Sequence, residues 1–116
     1  MPVQVFGTKK NPATRAVLRF FAERRIKVHF VDLAERAASV GELKRFAQKF
    51  GVEALLDREG RRFEELGLKA ARYGEDAWLQ RLADEPLLLR MPLVRNQNQL
   101  TIGESVETWK TWVASQ

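Results

Sequence analysis

The stretch VQVFGTKKNPATRAVLRFFAERRIKVHFVDL, residues 3–33, decides the fold of this 116-residue chain. Its first four residues, rich in β-branched and aromatic side chains, predict a short strand that ends at Gly7. Asn11 before Pro12 predicts a helix start, because an Asn side chain accepts hydrogen bonds from free first-turn amides and Pro has no amide to lose. Residues 27–33 alternate and predict a second strand. Strand, helix and strand in this order indicate a right-handed βαβ unit with parallel strands.

The predicted helix covers residues 12–24. Its apolar residues recur at three- and four-residue spacing, which places them on one core-facing stripe. Arg15 and Arg19 then lie on an exposed flank. The predicted core stripe consists of Ala13, Ala16, Val17, Phe20 and Phe21.

The middle of the chain is predominantly helical in pattern. Ser39 and Glu42 form a capping-box signature, and the helix they begin is predicted to end at Gly51. Further helical segments are predicted at residues 62–66 and 74–83. The apolar residues expected to face inward are Val40, Leu43, Phe46, Ala47, Phe50, Ala77, Trp78 and Leu82.

The last third of the chain predicts a hairpin and a helix. Residues 93–94 and 99–102 are strand-like and flank a polar stretch, 95–98, suited to a hairpin loop. The helix is predicted at residues 105–113, with Val106, Trp109 and Val113 covering the sheet and Trp112 off that stripe, exposed for a partner. The resulting order is β-α-β, a helical insert at about 39–85, a β-hairpin and a last helix.

Composition narrows the functions that are open to the chain. Its size is that of one domain, residues 1–116, and it contains no cysteine, which excludes disulfides, thiolate metal sites and a thiol nucleophile. No apolar run is long enough to cross a membrane, and the start lacks a secretory signal, so we expect a cytoplasmic protein without membrane contact. Residues 1–27 contain seven basic residues and one acidic residue, a net charge of +6. The whole chain has a net charge of +5, so the remaining residues are close to neutral.

The element order is that of an α/β protein with a thioredoxin-like fold: a four-stranded mixed sheet with helices on both faces. Three sequence strings strengthen this interpretation: VFGTK at 5–9, ALL at 54–56 followed by FEELGL at 63–68, and PLLLRMPLV at 86–94. On these strings the chain resembles the arsenate reductase family of thioredoxin-like proteins, which also includes the Spx-type transcription regulators. The resemblance extends over nearly the whole chain.

The functional positions that this resemblance implies carry other residues here. The family's catalytic cysteine falls on Asn11, and the second cysteine of Spx-type regulators falls on Thr14. The three arginines that hold the arsenate anion fall on Asp57, Met91 and Ile102. Since a thiolate must attack arsenic and an amide cannot carry that adduct, we expect no intrinsic reductase activity and no catalytic residue.

The resemblance still implies a ligand site beside the first loop. Its candidate residues are Lys9, Lys10, Asn11, Met91 and Pro92, with Pro92 at the family's cis-proline position. Free amides at a helix start, next to two lysines, could receive a glutathione carboxylate, a phosphate or an acidic side chain. The structural alternative is that Asn11 only caps the helix, the lysines are solvated and Pro92 is trans.

Two functions from different classes remain open. The first is a redox-inactive binding or regulatory protein, with Arg15, Arg19 and Gly51 as candidate partner contacts and the RNA polymerase alpha subunit as the partner that Spx-type members imply. The second is a glutathione-dependent reductase or transferase that uses the thiol of bound glutathione, the one cofactor considered. We expect neither direct nucleic-acid binding by the basic helix nor a metal site at His29, which has no second ligand at suitable spacing.

Overall fold

Residues 1–116 are all described by a computed structural model, with four strands and five α-helices. The strands are β1 (Val3–Gly7), β2 (Val28–Asp32), β3 (Leu93–Asn96) and β4 (Gln99–Ile102), and the helices are α1 (Pro12–Glu23), α2 (Val40–Phe50), α3 (Arg61–Glu65), α4 (Glu75–Asp84) and α5 (Val106–Ala114). Short 3₁₀ helices occupy Val52–Leu55 and Pro86–Leu88. The chain divides into two compact units, one of Met1–Asp32 with Met91–Gln116 and one of Leu33–Arg90.

The first unit contains the whole sheet, in the strand order β2-β1-β3-β4. The pair β1 and β2 is parallel, while β1 with β3 and β3 with β4 are antiparallel. The predicted βαβ unit, hairpin and four-stranded mixed sheet are therefore confirmed. The parallel pair follows from helix α1, which carries the chain back to the starting end of the sheet before β2 begins.

Helices α1 and α5 share one hydrophobic cluster with one face of the sheet. Val5, Phe21 and Trp109 are fully buried in it, and the Trp109 indole Nε1 donates a hydrogen bond of 2.9 Å to Thr101 Oγ1. The prediction that Trp112 is exposed is wrong, because its side chain is only 3% exposed in the same cluster. Trp112 lies three residues after Trp109, a spacing that places both rings on one helix face.

The hairpin loop is shorter than predicted. Arg95 and Asn96 belong to β3, which leaves Gln97 and Asn98 to make the turn, and Gln97 takes a φ of 56°. Cross-strand pairing of Asn96 with Gln99 extends the ladder to the edge of that turn. The polar side chains at 95–96 suggested a loop, but these residues belong to a strand because they pair with β1 and β4.

The second unit has its own core. Helix α2 begins at Ser39 with both hydrogen bonds of the predicted capping box, and its Leu43, Phe46 and Ala47 are buried. Phe50, expected in the core, is 41% exposed because the helix ends there.

Helix α4 also differs from its prediction in one inward position. Trp78 and Leu82 are buried as expected, but Leu79 is buried in place of Ala77, which is exposed. The Trp78 ring stacks on Phe63 with 5.9 Å between the ring centroids. The larger Leu79 gains more from burial than an alanine would, and this sets the rotation of the helix about its axis.

Candidate functional site

The loop between β1 and α1 is closed by Asn11. Its backbone amide donates to Thr8 O at 3.1 Å, and its side-chain Oδ1 accepts from the Thr14 amide at 2.8 Å and from Thr14 Oγ1 at 2.9 Å. Asn11 therefore acts as the predicted N-cap of α1. Its one side-chain acceptor is fully committed within the protein.

Gly7 and Thr14 bring the loop and the helix into close contact. Thr14 is completely buried, and a Cβ atom at Gly7 would lie 2.4 Å from Thr14 Oγ1 and 2.7 Å from its Cγ2. Only glycine leaves room for this approach. Thr14 is polar and sits between apolar stripe residues, so hydrophobic periodicity did not predict its burial.

The candidate residues Met91 and Pro92 lie immediately before β3. The peptide bond between them is cis, as the resemblance implied. Thr8 Oγ1 in the loop donates a weak hydrogen bond to Met91 Sδ, with 3.7 Å between the two atoms. Pro92 is buried and its carbonyl accepts from the Gly103 amide at 2.8 Å. The predicted approach of Met91 to the first loop is thus present, through Thr8 rather than Asn11.

The positive charge of residues 1–27 is divided between two places. Lys9 and Lys10 are exposed in the loop and form no ion pair, and Arg15 Nη1 donates to Lys9 O at 2.9 Å. Arg24 lies at the far end of α1, about 18 Å along the helix axis at 1.5 Å per residue. The sequence suggested that the basic charge of residues 1–27 lies beside Asn11, but the length of α1 separates Arg24, Arg25 and Lys27 from that loop, so this expectation is wrong.

The start of α1 offers one free backbone donor. Pro12 has no amide hydrogen, the Thr14 amide is bound by Asn11, and the Arg15 amide donates to Asn11 O at 3.1 Å. The Ala13 amide alone lacks a partner in the first turn. An anion at this position would therefore meet one amide and the two lysines.

The structure also shows the surroundings of the other candidate positions. Gly51 ends α2 with a φ of 83°, a conformation that L side chains rarely adopt, and no atom lies within 4 Å of an added Cβ. Arg19 is exposed on α1. Asp57, where the family has an arginine, donates its amide to Leu88 O at 2.9 Å. Ile102 pairs with Leu93 across the hairpin.

No group of three or more His, Cys, Asp or Glu side chains is arranged to hold a metal ion. None of the helices combines the length and the apolar character needed to span a bilayer.

Comparison with known proteins supports the resemblance. The sequence pattern of the ArsC family matches residues 6–112. An arsenate reductase of Neisseria meningitidis is 27% identical over 108 residues, which is 90% of this chain and 92% of that protein. An uncharacterised protein of Bacillus subtilis, YusI, is 28% identical over 107 residues, 89% of this chain and 91% of its own.

Solved structures agree with the fold. An arsenate reductase from Vibrio cholerae superimposes with a TM-score of 0.80 at 27% identity, covering 93% of this chain and 94% of that one. An ArsC-related protein of Bacteroides fragilis gives a TM-score of 0.84 at 19% identity, covering 96% and 97%. The chain therefore belongs to the ArsC family and has its thioredoxin-like α/β fold.

Proposed function

We propose that this ArsC-family protein works by binding rather than by thiol chemistry. The observation that carries the proposal is Asn11, at the position that the resemblance assigns to the catalytic cysteine, with its side chain committed to two hydrogen bonds from Thr14. A carboxamide forms no covalent arsenic adduct and exchanges no disulfide. The chain has no other thiol to take its place.

Arsenate reduction tests this proposal directly. Wild-type protein with glutathione and glutaredoxin should reduce arsenate no faster than the same mixture without it. Asn11→Cys tests whether the scaffold retains the rest of the machinery, and Asn11→Ala is its matched control. Because Asp57, Met91 and Ile102 replace the anion-binding arginines, we expect Asn11→Cys to stay inactive as well. Wild-type activity above the blank would refute the proposal.

The proposed role is regulatory contact with another protein through the basic loop. Lys9 and Lys10 are exposed and unpaired, so an acidic surface could approach them without breaking an existing ion pair. Arg15 braces the loop through Lys9 O, and Arg19 extends the charge along α1. By family resemblance the RNA polymerase alpha subunit is the first partner to test. Capture of that subunit by wild-type protein but not by a Lys9→Glu, Lys10→Glu variant is the expected result, and equal capture by both contradicts a role for the loop.

A second candidate is an enzyme that borrows the thiol of glutathione. The free Ala13 amide and the two lysines favour it, since together they could hold a glutathione carboxylate. Glutathione would then shift the amide resonances of residues 9–13 in a nuclear magnetic resonance titration. Absence of those shifts at saturating glutathione would eliminate the candidate, and their presence would favour it over the purely regulatory role.

A further inference from the structure

An open cavity of about 710 Å³ lies at the amino-terminal end of β1, at the opposite end of that strand from the loop of Asn11. Its polar lining comes chiefly from Gln4, Lys27, His29 and Arg95, and its apolar lining includes Met1 and Pro2. No acidic residue lines it. The proposed function above uses none of these residues.

Strand register places three of the polar residues in one row. Gln4 of β1 is paired with His29 of β2 on one side and with Arg95 of β3 on the other. Directly paired residues project from the same face of a sheet, and neighbouring strands are about 4.8 Å apart, so His29 and Arg95 flank Gln4 across about 10 Å. Val3 and Val5 occupy the face covered by α1 and α5, which puts this row on the other face.

The cavity lining contains two charged side chains, Arg95 and Lys27, both positive, and no acidic side chain. The Arg95 guanidinium is anchored, because its Nε donates to Gln97 O at 2.8 Å, while its two Nη groups have no partner. Lys27 is exposed and forms no ion pair.

We infer that this cavity binds an organic phosphate, with the phosphate group on Arg95 and Lys27 and the organic part against Met1 and Pro2. Two positive charges match a phosphate dianion better than a single carboxylate, and the anchored Arg95 guanidinium offers parallel donors to two phosphate oxygens. Anchoring also lowers the entropy lost when the guanidinium is immobilised. The volume exceeds that of a phosphate alone and leaves room for a sugar or a nucleoside.

Calorimetric titration of the full chain with three probes tests the inference: adenosine monophosphate, glucose 6-phosphate and inorganic phosphate. At least one organic phosphate should bind with a Kd of about 1 mM or tighter. Arg95→Gln should weaken that binding about tenfold, the size expected for one lost charge-assisted hydrogen bond. Lys27→Gln should independently weaken the binding of the organic phosphate, and because Lys27 is exposed this substitution leaves folding intact.

Arg45→Gln is the matched control, since it removes the same charge from an exposed position on α2 outside the cavity and should leave the Kd unchanged. A preference between the two organic probes identifies the organic part as a nucleoside or a sugar, and either supports the inference. Failure of both organic phosphates to bind overturns it, as does inorganic phosphate binding as tightly as both. Equal weakening by Arg45→Gln and Arg95→Gln would also overturn it, because the effect would then be that of net charge.

Discussion

Removing the Asn11 side chain should reveal how much of the helix start depends on it. Asn11→Ala deletes the acceptor of two hydrogen bonds, from the Thr14 amide at 2.8 Å and from Thr14 Oγ1 at 2.9 Å. Loss of the N-cap costs about 1 kcal/mol. Because Thr14 is fully buried, its hydroxyl is left without a partner, which costs about 1 kcal/mol more. The expected loss in the free energy of unfolding is about 2 kcal/mol, or about 8 °C in Tm.

A double-mutant cycle separates the two contributions. Thr14→Val removes the hydroxyl at nearly constant volume, so Asn11→Ala should cost only about 1 kcal/mol in that background. Urea unfolding followed by tryptophan fluorescence measures all four proteins. Asn11→Asp is the control, because it keeps the acceptor and should change stability by less than about 0.5 kcal/mol. A coupling below about 0.3 kcal/mol between positions 11 and 14 would refute the reasoning.

Three further perturbations follow from other contacts. Gly7→Ala should destabilise the chain by about 1–3 kcal/mol in urea unfolding, since its Cβ would overlap the buried Thr14 side chain; a change in stability equal to that of Gly41→Ala, a helical site where the nearest non-neighbouring atom is 3.9 Å away, would contradict it. Trp109→Phe should cost about 2 kcal/mol, from lost volume and an unpaired Thr101 hydroxyl, and Thr101→Val should relieve part of that cost if the hydrogen bond is responsible. Burial raises the pKa of Glu42, but hydrogen bonds from Arg36 and Ser39 outweigh it and hold that pKa below its ordinary value of 4.5. The lowered pKa stabilises the fold above pH 4.5 and this stability is lost as the pH falls through the folded-state pKa, so Glu42→Gln should flatten the acid limb of a Tm-against-pH curve; an unchanged limb would count against it.

Much of the fold was predictable because local signals and tertiary contacts agree. The side chains of Asn11 and Ser39 accept hydrogen bonds from first-turn amides of α1 and α2, and Pro12 has no amide hydrogen that needs a partner. Both helix starts are therefore encoded within four residues. The alternation in β1 and β2 likewise needs no distant partner to be recognised. Where prediction was wrong, a distant contact decided the outcome: Trp112 is buried by the core that it shares with Trp109, and Arg95 is drawn into β3 by its pairing with β1.

The candidate site was likewise predictable only where its residues are close together in the sequence. Lys9, Lys10 and Asn11 could be placed in one loop from the chain order alone. Neither the close approach of Gly7 to Thr14 nor the contact of Thr8 with Met91, which are 83 positions apart, has a local signal. The row of Gln4, His29 and Arg95 was equally hidden, because only strand register makes these residues neighbours.

By itself, the sequence determined the α/β class, the βαβ unit and the absence of a thiol, since these depend on residue types and on the spacing between residues that are close together in the sequence. Tertiary structure alone decided that Asn11 has no spare acceptor, that the basic charge is divided between two ends of α1, and that Arg95 and Lys27 line one cavity without an acidic partner. The physical reason is that the hydrogen bonds a side chain makes, and whether its charge has a partner, depend on the groups around it in the folded protein. Those surroundings are assembled from segments that the chain keeps far apart until the sheet forms.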